Sequence, residues 1–302
     1  MDQQTNYIVF LCYGNERVFH ECVFALLSLS RIYDRGLPDN MQVWIYTDKP
    51  GWFRSFKECP LHLNYRETRL DEIKQWRGTI DFVHRVKIEM LKDFSANKSG
   101  NVLYADTDVV FAYPVDDVFQ ALSAGKRYMH IMEGKISEEG NPIFKKLNAH
   151  LKTEATLKLN GKPMYEMAMW NAGVLGFNTK DSGLLDSVLD FTDREYPKFS
   201  KHVVEQFAFS VYFSQPGDIK AATPYIIHYW NLKEAGAVLA SFFNYFKDKS
   251  WVELVRYNTL IQIPALMQEK INFYQGRSVL DKIGKKQWVL HVPDWVELIK
   301  QL

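Results

Sequence analysis

The first fifty residues alternate between apolar runs and a helical pattern, and this order constrains the fold more than any other feature. Residues 7–13 form a continuous apolar run that ends at Gly14-Asn15, which is typical of a buried parallel strand. Apolar residues at helical spacing follow over residues 16–33, and residues 41–46 are a second apolar run. This order predicts a βαβ unit, and therefore a parallel sheet with right-handed crossovers.

The rest of the chain extends this pattern. A short strand is predicted around residues 61–65, helices across 71–94, and a buried strand at 101–105 that ends on Asp106-Thr107-Asp108. Strands at 170–177 and 225–230 then alternate with helical patterns at 182–192 and 202–212, and the sequence from residue 235 onward is helical and aromatic. We therefore expect an α/β fold with a mostly parallel sheet flanked by helices and a helical C-terminal extension.

The composition excludes several classes of protein. Apolar residues make up 47% of the 302 residues, which is enough to bury a core and excludes a disordered chain. A net charge of +1 gives no global attraction to nucleic acid, so no nucleic-acid partner is expected. The three cysteines form no C-x-x-C pair, and no basic cluster precedes an apolar run at the N-terminus. These features predict a cytoplasmic protein in a reducing compartment.

Two carboxylates follow the strand at 101–105 directly. Ligands of open parallel sheets bind at the carboxyl ends of the strands, where Asp106 and Asp108 are expected. Burying two like charges is costly unless a cation compensates, and oxygen ligands suit Mg²⁺ or Mn²⁺. On spacing alone, a strand-end turn with exposed carboxylates remains an equal alternative. The chain has neither G-x-G-x-x-G after its first strand nor a P-loop motif, so those phosphate-binding classes lack support.

Residues 101–111 resemble the D-x-D segment of GT-A-fold glycosyltransferases, most closely that of the retaining enzymes of glycosyltransferase family 8. The resemblance covers residues 7 to about 233. It implies a Rossmann-like GT-A domain over 1–234, with a nucleotide-binding half at 1–112 and an acceptor-binding half at 113–234, followed by the extension 235–302. Other stretches agree in order and approximate spacing: the first strand and helix with Asn15, Arg85-Val-Lys87, Trp170-Asn171-Ala172-Gly173-Val174, Glu205-Gln206 and His228-Tyr-Trp-Asn-Leu-Lys233.

The resemblance also implies an activity and the residues that carry it. The activity is transfer of a hexose, with retention of configuration, from a nucleotide-diphosphate sugar such as a UDP-sugar to a glycan or lipid-linked acceptor. Mn²⁺ or Mg²⁺ would be held by Asp106, Asp108 and His228. The resemblance further implies that the base and ribose contact Tyr13, Asn15 and Asp48, and that phosphate or donor-sugar oxygens contact Arg85 and Lys233. Sugar hydroxyls would contact Asn171, Glu205 and Gln206. Of these three, Glu205 and Gln206 would lie nearest the reacting carbon.

Each of these residues also has a purely structural interpretation. A histidine on an apolar strand is commonly a core residue, so His228 by itself is weak evidence for a metal. Asn171 beside a glycine suits a role in satisfying backbone groups, and Glu205-Gln206 suits a solvated helix face. Arg85 suits a surface position and Tyr13 a core position. Their occurrence together at successive strand ends favours the functional interpretation.

Alternatives to a glycosyltransferase remain open at this level. A non-catalytic nucleotide- or carbohydrate-binding protein is one, because Asn231 replaces the family's glycine and Glu234 follows a lysine that arrives one position early. A sugar-nucleotide pyrophosphorylase is another, although Tyr13-Gly-Asn-Glu16 does not match its glycine-rich loop. The aromatic C-terminal helices either pack on the catalytic domain or contact the cytoplasmic face of a membrane peripherally.

Overall fold

A computed structural model describes residues 4–300, except residues 55, 57–58, 139, 155–156, 216, 218, 279–280 and 282–283. Elements are numbered in chain order. The strands are β1 (Asn6–Cys12), β2 (Met41–Thr47), β3 (Asn64–Glu67), β4 (Asn101–Ala105), β5 (Val109–Phe111), β6 (Arg127–Met129), β7 (Met132–Lys135), β8 (Lys158–Leu159), β9 (Lys162–Pro163), β10 (Ala168–Trp170), β11 (Val174–Asn178), β12 (Ile219–Ala221) and β13 (Ile226–His228).

The helices of the first half are α1 (Glu16–Ile32), α2 (Pro50–Arg54), α3 (Leu70–Trp76), α4 (Arg85–Asn97) and α5 (Asp116–Ser123). Those of the second half are α6 (Pro142–Thr153), α7 (Gly183–Glu195), α8 (Val203–Phe213), α9 (Ala235–Tyr245), α10 (Trp251–Tyr257), α11 (Ile263–Gly276) and α12 (Trp295–Ile299).

A seven-stranded sheet in the order β12-β6-β11-β4-β1-β2-β3 forms the centre of the molecule. Strand β1 pairs in parallel with both β2 and β4, and β2 pairs in parallel with β3. Strand β11 is antiparallel to β4 and β6, while β12 is parallel to β6. This mostly parallel sheet with flanking helices confirms the predicted α/β class, and α9–α12 confirm its helical C-terminal part.

The apolar run of β1 is buried on both faces because helices cover the sheet on both sides. Successive side chains of a strand point to opposite faces. Ile8 and Phe10 accordingly belong to a core that includes α1, α9 and α10, whereas Tyr7 and Val9 belong to a second core that includes α4, α7 and α8. A continuous apolar strand is therefore the pattern that this position requires.

Two elements differ from the sequence-based expectation. The strand predicted at 170–177 is interrupted between β10 and β11, where the Asn171 side chain accepts a hydrogen bond from the Gly173 backbone N–H. Helix α6 lies in a stretch for which the sequence patterns predicted no element, and it begins after the N-cap Asn141. The helices predicted across 71–94 are α3 and α4, which are separated by a turn in which Gly78 and Asp81 have positive φ.

The C-terminal helices pack against α1. The Trp251 indole N–H donates to Ser30 Oγ on α1 at 3.0 Å, and both side chains are buried. Trp295 on α12 donates in the same way to Ser241 Oγ on α9. In the ranges given above, no helix has the length and apolar character needed to cross a bilayer. The division of the chain at 234/235 and the membrane contact stay predictions.

Candidate functional site

A cleft of about 870 Å³ opens beside the carboxyl end of β4. It brings together residues that the sequence analysis selected from four separate stretches of the chain. The predicted site residues that line it are Asp106, Asp108, Asn171, Glu205, Gln206, His228 and Lys233.

Asp106, Asp108 and His228 meet at the base of this cleft. Each contributes one ligand atom, and these atoms lie within 4.8 Å of one another. His228 Nε2 is 3.0 Å from an oxygen of Asp108 and 3.8 Å from an oxygen of Asp106. The antiparallel pairing of β13 with β5 places His228 opposite Val109. Because Val109 directly follows Asp108, the histidine lies next to the Asp106–Asp108 turn.

Asn171 determines which nitrogen of His228 carries the hydrogen. Its Oδ1 accepts from the Gly173 N–H at 3.0 Å, and its Nδ2 donates to Glu133 at 3.0 Å. Because that Oδ1 also lies 2.9 Å from His228 Nδ1, the Nδ1 must be the donor. The Nε2 of the neutral ring therefore presents a lone pair to the carboxylates, and the contact requires a proton or a metal ion between them.

The donor set fits a divalent cation. Two carboxylates and one oriented imidazole are ligands that Mn²⁺ accepts, and Mg²⁺ accepts the carboxylates. Burial alone would raise the pKa of Asp108, but the hydrogen bond and the electrostatic interaction with His228 lower it below its usual value. The carboxylate is thus stabilised in its charged form wherever a positive charge occupies this position.

The backbone of Gly173 provides the room for His228. A Cβ at Gly173 would lie 2.0 Å from His228 Cε1 and 2.1 Å from Nδ1, which no side chain permits. The Gly173 carbonyl also accepts a hydrogen bond from the Asp106 N–H at 2.7 Å. The glycine of the Trp170–Val174 stretch is therefore in contact with two of the three candidate ligands.

A buried lysine, Lys87, contacts Asp106. Lys87 Nζ is 3.3 Å from Asp106 and 3.3 Å from Glu205, and it donates to the Ala172 carbonyl at 3.0 Å. Burial alone would lower the pKa of Lys87, but the two carboxylates raise it above its usual value. Burial, with a smaller contribution from Asp106, raises the pKa of Glu205 to about 7 despite the nearby lysine. Negative charge still exceeds positive charge at this end of the cleft, which favours a cation.

Arg85 and Lys87 point in different directions from α4. The Arg85 guanidinium is paired with Asp193 at 2.7 Å and with Glu89 at 2.7 Å, and it donates to the Trp76 carbonyl. It does not line the cleft, whereas Lys87 does. The donor contact expected for Arg85 stays a prediction. Of the two basic residues of the stretch 85–87, Lys87 is the one that lines the cleft.

Glu133 is a cleft residue that the sequence analysis missed. One of its carboxylate oxygens accepts from Asn171 Nδ2 at 3.0 Å, and the other accepts from Gln206 Nε2 at 2.8 Å. Strand β7, which carries Glu133, pairs with β10 just before Asn171. No local pattern marks this glutamate, because only that strand pairing brings it to the site.

Tyr13, Asn15 and Asp48 lie at the carboxyl ends of β1 and β2, on the same edge of the sheet as Asp106 but outside the cleft lining. Asn15 caps α1 by accepting from the Val18 N–H, and one Asp48 oxygen accepts from the Gly14 N–H at 3.3 Å. The other Asp48 oxygen is buried and has no hydrogen-bond partner among the described residues. Nucleotide contacts of these residues stay predictions.

No family model matches the chain, and no curated protein sequence does. Among solved structures, mouse xyloside xylosyltransferase 1 in its apo form superposes with a TM-score of 0.49 at 10% identity, over 72% of this chain and 86% of that one. The glycosyltransferase GlyE of Streptococcus pneumoniae TIGR4 superposes with a TM-score of 0.46 at 16% identity, over 90% of this chain and 64% of GlyE. Core-mannan synthase A of Aspergillus fumigatus, in its Mn/GDP form, gives 0.41 at 11% identity, over 70% of each chain. Because these values are low, the proposals below rest on the residues of this chain.

Proposed function

We propose that this chain is a metal-dependent glycosyltransferase of the GT-A type. Its donor is a nucleotide-diphosphate sugar, most simply a UDP-hexose, and its acceptor is a glycan or a lipid-linked sugar. The observation that carries the proposal is the arrangement of Asp106, Asp108 and His228, in which Asn171 directs the Nε2 lone pair at two carboxylates. Such a contact is stable only with a positive charge between the groups.

The ion of this site would be Mn²⁺ or Mg²⁺. When bound, it supplies Lewis-acid stabilisation of a departing diphosphate, which is worth several kcal/mol. Lys233 on the rim of the cleft is exposed and adds a second positive charge for the phosphates. Asp48, a partly exposed carboxylate at the carboxyl end of β2, would accept a hydrogen bond from a ribose hydroxyl.

The opposite wall of the cleft is suited to the sugar. Asn171 and Gln206 both donate to Glu133, so their amides are oriented before any ligand arrives. Among the cleft carboxylates that the structure describes, Asp106 and Glu205 each pair with Lys87, Asp108 contacts His228, and Glu133 has amide partners. Its remaining lone pairs can accept from sugar hydroxyls. The order of motifs, as in family 8, favours retention of configuration.

Calorimetric titration of UDP, with and without Mn²⁺, tests this function. The wild type is expected to bind UDP only with the metal present. The double variant Asp106→Asn/Asp108→Asn is expected to lose more than about 100-fold in affinity, because residues that merely orient a metal ligand already contribute roughly 10- to 100-fold. The melting temperature of the metal-free variant should stay close to that of the wild type. Equal UDP binding without metal, or by the double variant, would overturn the proposal, and GDP and CDP test the choice of base.

A non-catalytic nucleotide-binding protein is the second candidate. Asn231 stands where the resembling family has glycine, and Lys233 arrives one position earlier than the family lysine, with Glu234 after it. The two functions differ in turnover, which release of UDP from a panel of UDP-hexoses measures with and without added sugar acceptors. Metal-dependent UDP binding without release of UDP from any member of the panel would favour the second candidate.

A further inference from the structure

Lys270 on α11 attaches the C-terminal helices to the segment that follows His228. Its Nζ donates to both carboxylate oxygens of Glu234, at 2.8 and 2.6 Å, and to the Asn231 carbonyl at 2.6 Å. These three bonds use all the hydrogens of the ammonium group. Both side chains of the ion pair are partly shielded from solvent, with 17% of Lys270 and 31% of Glu234 exposed.

The segment between His228 and α9 is therefore held at both ends. At its start, the Tyr229 N–H donates to the Asp108 carbonyl at 2.9 Å, which ties it to the candidate metal site. At its end, Lys270 holds Asn231 and Glu234. Lys233 lies between these attachments, with its side chain exposed on the cleft.

Lys233 forms no salt bridge with a carboxylate in the part of the chain that the structure describes. Its charge lowers the pKa of Glu234, but less than Lys270 does. Glu234 is its neighbour in the sequence and carries the opposite charge. A free Glu234 carboxylate would compete with an anionic ligand for the Lys233 ammonium group. The ion pair with Lys270 instead neutralises that carboxylate and directs it toward α11.

We propose that Lys270 is a positioning residue for the donor diphosphate. It acts through Glu234: by binding that carboxylate and the Asn231 carbonyl, it leaves the Lys233 ammonium group available to the phosphates. This proposal rests on the proposed function, since it assumes a diphosphate in the cleft. It also accounts for the departure of this segment from the resembling family, because the lysine that compensates for Asn231 and Glu234 comes from the C-terminal helices.

Calorimetric titration of UDP and UMP in the presence of Mn²⁺ tests the proposal. Lys270→Met is expected to weaken UDP binding by about fivefold, the size of a partly exposed ion pair, and to leave UMP binding unchanged because UMP lacks the second phosphate. Glu234→Gln removes the competing charge and should bind UDP at least as tightly as the wild type. The double variant Lys270→Met/Glu234→Gln should regain the wild-type affinity. Lys249→Met, which breaks the pair between Lys249 and Glu253 of α10 at 2.9 Å, is the matched control.

The variants separate this role from a general effect on stability. If Lys270 served only to hold the helices together, Glu234→Gln would weaken UDP binding as much as Lys270→Met, and the double variant would not recover. Either of those results overturns the proposal, as does unchanged UDP binding by Lys270→Met. If the wild type binds none of UDP, GDP and CDP with Mn²⁺ present, the proposed function is overturned and this inference with it.

Discussion

Gly173 shows how much of the site depends on single residues. The His228 ring occupies the space where any side chain at position 173 would lie, and Asn171 holds the same ring by its Nδ1. A hydrogen bond to the second nitrogen of a metal-ligating imidazole orients the ring and raises the affinity of the site for the metal. The short Asn171–Gly173 turn therefore decides both the position and the tautomer of the histidine.

At the residue scale, we expect Gly173→Ala to displace His228. The new Cβ would meet the ring at 2.0 Å, so metal-dependent UDP affinity should fall by at least about tenfold, and overpacking should cost about 1 to 3 kcal/mol of stability. Calorimetry and urea unfolding measure the two effects. Gly183→Ala is the control, because nothing lies within 4 Å of a Cβ at that position. Unchanged metal affinity in Gly173→Ala would mean that His228 is not a ligand.

Helix α4 shows what spacing within an element decides. Its residues are 100° apart around the axis, so Arg85 and Lys87 cannot face the same neighbour. Arg85 faces Asp193 on α7, and Lys87 faces Asp106 and Glu205. His84, at the N-cap of α4, lies at the mouth of the same cleft, 6.2 Å from the His202 ring between centroids.

At the element scale, His84 should make stability depend on pH. Burial, with a smaller contribution from the charge of Lys87, lowers the pKa of His84 to about 4, from an unfolded value near 6.5. The unfolded chain then binds more protons between these values, so stability falls as the pH drops from about 6.5 toward 4. In metal-free protein, the wild type should lose about 1 to 2 kcal/mol more than His84→Gln between pH 7 and 5.

Urea unfolding at the two pH values measures this difference. The exposed His291 provides the matched variant, His291→Gln, which should keep the wild-type dependence. Identical pH dependence in His84→Gln and wild type would show that another group carries the effect.

The molecule as a whole is organised around α1, which lies between the sheet and the C-terminal helices. Phe24 on α1 and Phe242 on α9 belong to the same core as Ile8 and Phe10 of β1. Trp251 closes this core from α10, and 3% of it is exposed. Because one core joins residues from both sides of position 234, we expect the described helices α9 and α10 to unfold with the sheet.

At the scale of the molecule, Trp251→Ala should destabilise the whole protein. Loss of the indole leaves a cavity and an unpaired Ser30 hydroxyl, so the free energy of unfolding should fall by about 3 to 5 kcal/mol. Urea unfolding followed by far-UV circular dichroism should still show one transition. Val252→Ala, at a side chain that is 70% exposed, should cost little. Two separate transitions in the wild type would instead support an independent domain at 235–302.

Local patterns were sufficient for the elements and for part of the site. Mostly apolar runs predicted β1, β2 and β4, because strands buried on both faces need apolar side chains on both faces. Asp106 and Asp108 follow the carboxyl end of β4, and they were predicted as site residues because ligands of parallel sheets bind at that edge. These inferences needed only neighbours in the sequence. The metal itself and the nucleotide contacts of Tyr13, Asn15 and Asp48 stay predictions.

Contacts between distant parts of the chain decided the rest. Pairing of β13 with β5 brings His228 to Asp108, 120 positions earlier, and pairing of β7 with β10 brings Glu133 to Asn171. The choice of Lys87 over Arg85 follows from the rotation of α4 against α7, and Lys270 reaches Glu234 only because α11 packs beside the segment after β13. Composition and spacing describe each element separately, whereas these side chains meet through strand register and helix packing, which are properties of the assembled fold.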